Sequence, residues 1–169
     1  MKPLGAFLAT LAVALLLRST ALSSLAARGV IVDVLAFATV AWALRHGDSW
    51  GSTLGFTLGL AADLDAAHWF GRHALGLSLI GYGIGRLSTT LVRDSARTQF
   101  AMIALSTALH QVWIAIFEVG GVGSLPYLLI RATVATALTA SLGTLVLVLL
   151  RRIVGRPLFG YASRTPASD

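Results

Sequence analysis

The 169-residue chain is 56% hydrophobic and only 12% charged, with a mean hydropathy of +0.81, so it has too few charges to cover a globule in water. It reads as an all-α integral membrane protein. Having no cysteine, it is excluded from disulfide frameworks, thiolate metal sites and thiol nucleophiles. Its formal charge of +6 is an orientation signal in a membrane chain, and no nucleic-acid partner is expected.

At about 20 residues per span, the length allows roughly six spans and no soluble domain. The first span is expected over residues 3–25, as an uncleaved helix rather than a signal peptide, with Arg18 in its outer half, snorkelling to the headgroups. The second, 30–44, opens near Asp33 and ends at Arg45-His46-Gly47-Asp48. The third, 51–65, is short enough to need shielding by protein. The fourth, 73–92, ends among Arg86, Arg93 and Arg97. The fifth, 100–119, ends at Glu118 and a glycine turn, and the sixth, 126–150, starts at a proline suited to a first helical turn. Residues 1–150 thus form one six-helix transmembrane domain, and residues 151–169 read as a disordered basic tail.

With both termini on one side, that side holds Lys2, Arg45, Arg86, Arg93, Arg97, Arg151, Arg152, Arg156 and Arg164, nine of the thirteen basic residues. The bias places both termini in the cytoplasm.

Gly51, Gly55, Gly59 and Asp63 recur every four residues, so a helix puts them in one ridge with almost no side chains until the carboxylate. Gly81 and Gly85 form a second small face, and Thr136, Ala140 and Gly143 a third. In lipid such faces pack against other helices, of the same chain or of a partner.

Polar residues gather at the outward corner: Asp63, Arg72 and His73, with Asp65, His68 and the interfacial Trp69 beside them, and Glu118 and Arg131 flanking the last outward turn. A divalent metal or a hydrolytic acid–base pair is conceivable there. The spacing, however, lacks the His pairing of helical zinc enzymes. No metal, cofactor or catalytic residue is therefore assigned. Asp63 is expected to accept hydrogen bonds from backbone or Arg groups where its helix ends. An ion pair between Glu118 and Arg131 is expected, and His110 in the pair His110-Gln111 is read as an interhelical hydrogen-bonder.

Several stretches in order resemble one family. They are Val32-Asp33-Val34-Leu35, the turn Trp42-Ala43-Leu44-Arg45-His46-Gly47, Gly55-Phe56 with Gly59-Leu60 and Asp63, Phe70-Gly71-Arg72-His73-Ala74-Leu75, Gly81-Tyr82 ending in Gly85-Arg86, and His110-Gln111. Together they are similar to the rod shape-determining protein MreD family of bacterial inner membranes. Arg18, Val32 and the charged Asp65 and His68 depart from that pattern. The resemblance implies a non-enzymatic, multi-pass inner-membrane adaptor of the cell-wall elongation complex. Such a subunit binds the single-span scaffold MreC and links it to MreB, RodA and a class B transpeptidase. It also implies a fold resembling the substrate-binding components of energy-coupling-factor transporters. That likeness supplies the alternative, a small-molecule substrate-binding component with a pocket walled by Asp63, His68, Trp69, Glu118 and Arg131.

Overall fold

Among the described residues the helices run from 13 residues to 30, and this inequality shapes the bundle. The computed structural model describes residues 2–22, 31–65, 70–118, 125–155 and 158–159. Helix α1 spans Lys2–Leu17 and continues into a π-helical turn, Arg18–Leu22; α2 spans Val34–His46, α3 Asp48–Asp65, α4 Arg72–Leu87, α5 Ala96–Glu118 and α6 Leu125–Val154. At about 1.5 Å per residue, α2 rises roughly 20 Å, whereas α5 and α6 rise roughly 35 and 45 Å. A bilayer's hydrocarbon core is about 30 Å thick. Two helices, over Ala96–Phe117 and Pro126–Val154, are long and apolar enough to cross a membrane; the apolar segments Leu4–Thr20 and Val34–His46 are shorter.

Local chemistry sets boundaries that hydropathy missed. Helix α2 begins at Val34 rather than residue 30, because Asp33 caps it by accepting the Ala36 N–H at 3.0 Å. Helix α3 begins at Asp48 rather than residue 51. Gly47 turns the chain at φ +88°, and the Asp48 carboxylate, placed at the positive helix end, accepts the Ser49 N–H at 2.7 Å. That gives α3 18 residues instead of the expected 15. Helix α4 stops at Leu87, short of residue 92, where the hydroxyls of Ser88, Thr89 and Thr90 donate to the last carbonyls. Helix α5 starts four residues before the expected 100. Helix α6 continues through Arg151 and Arg152 to Gly155 at φ +64°. Residues 151–154, expected in the tail, are thus helical, and Leu158 and Phe159 lie against Asp94, whose Oδ1 accepts their N–H groups at 3.2 and 3.4 Å, with Phe159 buried.

Helices α3 and α4 form the tightest pair. A Cβ added at Gly51 would lie 2.6 Å from the Ala43 Cβ and 2.7 Å from the Gly81 carbonyl oxygen. One added at Gly55 would strike the Leu77 carbonyl, and one at Gly59 the backbone of His73 and Ala74. Gly81 and Gly85 face back onto the backbone of Gly51 and Asp48. Two bare ridges thus meet backbone to backbone, and Ser52 and Ser78 exchange a 2.9 Å hydroxyl bond across the seam. Helix α2 packs over this hairpin, placing Leu35, Trp42, Leu54, Leu58 and Leu77 in one core cluster. A second cluster joins α2 and α4 to α5 and α6 through Val40, Leu44, Ile84, Ile103 and Ala140. The outer faces are apolar, with Leu16, Phe56, Leu79, Ile116, Leu129 and Ile153 exposed, a surface suited to lipid.

One end of the bundle collects the arginines. Arg86 pairs with Asp48 at 3.9 Å, Arg93 reaches the carbonyls of Ser88 and Leu44, and Arg151 donates to the Asp94 carbonyl at 2.8 Å. Gly59→Leu should cost more than the roughly 3 kcal/mol that marks the upper end of ordinary overpacking, because the obstacle is backbone. It is expected to abolish the monodisperse peak of a fluorescent fusion in size-exclusion chromatography. Gly83→Ala, where nothing lies within 4 Å of the added carbon, should leave that peak intact and raise the melting temperature slightly through helix propensity.

Candidate functional site

A helix cut short inside a bundle leaves N–H groups that neither water nor lipid can satisfy. Two aspartates meet that need here. Asp63, 2% exposed at the end of α3, takes over the start of α4, whose own capping residue, Gly71, has no side chain. Its Oδ2 accepts the N–H groups of Gly71 and Ala74 at 3.1 and 3.0 Å, and its Oδ1 accepts that of His73 at 3.1 Å. Oδ1 also meets the His73 Nδ1 at 2.8 Å. The glycine ridge of α3 is what brings the carboxylate this close to the α4 backbone.

Asp33 does the same for α2. Its Oδ1 caps Ala36, its Oδ2 lies 2.5 Å from the His110 Nδ1 and 3.3 Å from the Gln111 Nε2, and its own N–H donates to the Thr139 hydroxyl at 2.9 Å. Thr139 lies about 21 Å along α6, near its middle. The start of α2 is therefore sunk to mid-depth of the longest helix. Because a carboxylate only accepts, each imidazole donates from Nδ1; the His110 Nε2 is buried with no partner among the described residues.

The two couples meet: the His73 and His110 rings stand edge to face, 5.7 Å between centroids. Asp63, His73, His110 and Asp33 thus form one buried polar chain tying α2, α3, α4 and α5 together, with Thr139 joining α6. Trp113 adds an anchor by donating Nε1 to the Arg72 carbonyl at 2.8 Å. Both oxygens of Asp63 are committed to α4, which fits a capping group better than a free base.

The other expected site residues separate into distinct places. Gly51, Gly55, Gly59, Gly81 and Gly85 lie in the α3–α4 seam, and Ala140 is fully buried. A Cβ at Gly143 would lie 2.7 Å from the Phe37 ring, so it too packs within the bundle, while Thr136 is half-buried on α6. In the outward corner, Asp63 and His73 touch. Arg72 contributes its carbonyl to Trp113, and Arg131 is half-buried on α6. The side chains of Asp65 and Glu118, and residues His68 and Trp69, lie outside the described residues, and with them the expected Glu118–Arg131 pair. No group of three or more metal-ligating side chains is assembled among the described residues.

Two clefts lie elsewhere among the described residues. One of about 860 Å³ runs between α1, α2 and α6. A smaller one of about 380 Å³ lies between α4 and α5, walled by Gly76, Gly83, Leu105 and Ser106. The His110 tie to Asp33 could be anticipated as interhelical, but its partner could not: 77 residues separate them.

Unequal helices packed through bare glycine ridges, buried carboxylate caps and an apolar exterior make a helical bundle whose outer surface suits lipid. Comparison with known families matches residues 3–154 to the rod shape-determining protein MreD. The chain belongs to the MreD family, and its role is in determining cell shape. No curated protein and no solved structure matches it.

Asp63→Ala strips the acceptor from the buried N–H groups of His73 and Ala74 and the half-buried one of Gly71, and leaves the His73 ring without its partner, so a loss of about 3–5 kcal/mol is expected, at about 1–3 kcal/mol for each buried donor left unsatisfied. Melting in mild detergent should show it. A double-mutant cycle of Asp33→Ala and His110→Ala should return a coupling of roughly 1.5–3 kcal/mol, the range for hydrogen bonds to charged groups.

Proposed function

We propose that this protein is a non-enzymatic, multi-pass scaffold of the bacterial inner membrane. It would hold the single-span MreC and through it link MreB to the RodA and transpeptidase synthases of the elongation complex. The family match over residues 3–154 carries this reading. The site supports it in a second way: the buried carboxylates and nearly all the small-residue faces are spent on building the bundle, which leaves apolar outer surfaces as its means of engaging others. The arginine-rich end, with Arg45, Arg86, Arg93, Arg97, Arg151 and Arg152, would face the cytoplasm.

Of those surfaces, the α4–α5 cleft best suits a partner helix. Gly83 is exposed with open space above it, and the buried Ser106 hydroxyl in the cleft wall has no partner among the described residues. Small residues let a second helix approach closely, and an unpaired hydroxyl favours an incoming acceptor.

Affinity purification of the tagged chain from its native membrane should recover a single-span periplasmic protein. Gly83→Leu should reduce that recovery several-fold without lowering the melting temperature. Recovery instead of a coupling subunit with paired ATPases would make this a substrate-binding component of a transporter.

A further inference from the structure

The larger cleft has a length and a polarity that differ from those of the α4–α5 cleft. Its lining begins at Ala6 and ends at Leu17 on α1, and runs from Thr139 to Leu150 on α6. Eleven residues of helix rise about 16 Å, roughly half of the about 30 Å hydrocarbon core. A spanning helix seated there would leave half its length uncovered, whereas the acyl chains of one leaflet match it. The walls are apolar, and several wall residues, Val13, Leu142 and Val146 among them, are also exposed on the outer surface, so the cleft opens sideways.

Its two hydroxyl residues are already occupied. Thr10 donates to the Ala6 carbonyl at 2.9 Å, and Thr139 accepts from Asp33. Among the described wall residues the remaining polar groups are Arg45, His46 and the Trp42 indole N–H, grouped towards the arginine-rich end. Arg45 there is exposed, with no ion pair among the described residues, because the nearest acid along the chain, Asp48, serves Arg86. Beside it His46 is half-buried and stacked on Trp42, 4.0 Å between centroids. A slot one leaflet long, apolar along its walls and cationic at one mouth, is complementary to an amphiphile with a negative head.

We propose that this cleft binds a phospholipid with an anionic headgroup, its acyl chains lying between α1, α2 and α6 and its phosphate against Arg45 and His46. Phe37 and Gly143 line the cleft where α2 meets α6, so the lipid would also bridge α1 to α6, against which α1 has little direct packing. The site is separate from the α4–α5 surface assigned to a partner helix.

The test reconstitutes the full chain in bilayers of equal phosphatidylglycerol and phosphatidylcholine, releases it into mild detergent, and reads retained lipid by native mass spectrometry. Retention of phosphatidylglycerol several-fold over phosphatidylcholine is expected. Arg45→Gln should remove the preference, and Ala41→Trp, which fills the cleft, should remove the retained lipid. Val13→Trp on the opposite wall serves the same purpose should Ala41→Trp fail to fold. Equal retention of the two lipids, or retention unchanged in the filled variants, would overturn the assignment. So would a photoreactive residue at Val146 that crosslinks to polypeptide, a partner or a second copy, rather than to lipid.

Discussion

Everything in this bundle depends on how buried helix ends are satisfied. A backbone N–H left unpaired in an apolar setting costs several kcal/mol, and α2 and α4 both begin where neither water nor their own side chains can answer the whole of that cost. Asp63 reaches across from the neighbouring helix to hold the start of α4, and Asp33 holds the start of α2. Each carboxylate keeps acceptor capacity beyond the helix it caps, which the Nδ1–H groups of His73 and His110 fill.

The glycine ridges follow from that constraint. Asp63 can accept three N–H groups of α4 only if the two helices approach closer than ordinary side chains allow. Gly51, Gly55 and Gly59 remove those side chains on α3, and Gly81 and Gly85 remove them on α4. Packing and polar satisfaction therefore support one another. Function in determining cell shape, the family's role, is compatible with a core of this kind, which leaves the apolar outer surfaces uncommitted.

Much of this was legible in the sequence because it is local. Period-four glycines ending in Asp63 specify a bare helical ridge wherever they occur, and the resemblance to the MreD family rests on motif order that the family match supports. Helix ends were less legible: hydropathy does not register that Asp33 is a cap or that Gly47 turns the chain straight into Asp48, so two starts were displaced by about a turn. Arg151 and Arg152 looked like the end of a span, yet charge does not stop a helix, and α6 runs on to Gly155. The small face at Thr136, Ala140 and Gly143 revealed its size but not its neighbour, which proved to include Phe37 of α2. Contacts such as Asp33 with His110, and the leaflet-long cleft, depend on how distant helices converge, which spacing along one helix cannot encode.

The most direct test is hydrogen–deuterium exchange of the peptide spanning residues 70–76 in the intact protein, compared with Asp63→Asn. If the carboxylate caps α4, the amides of Gly71, His73 and Ala74 exchange slowly in the native chain and lose protection in the variant, while peptides from the middle of α6 stay protected. Unchanged protection in that peptide would contradict the capping role and the dependence of the bundle on it.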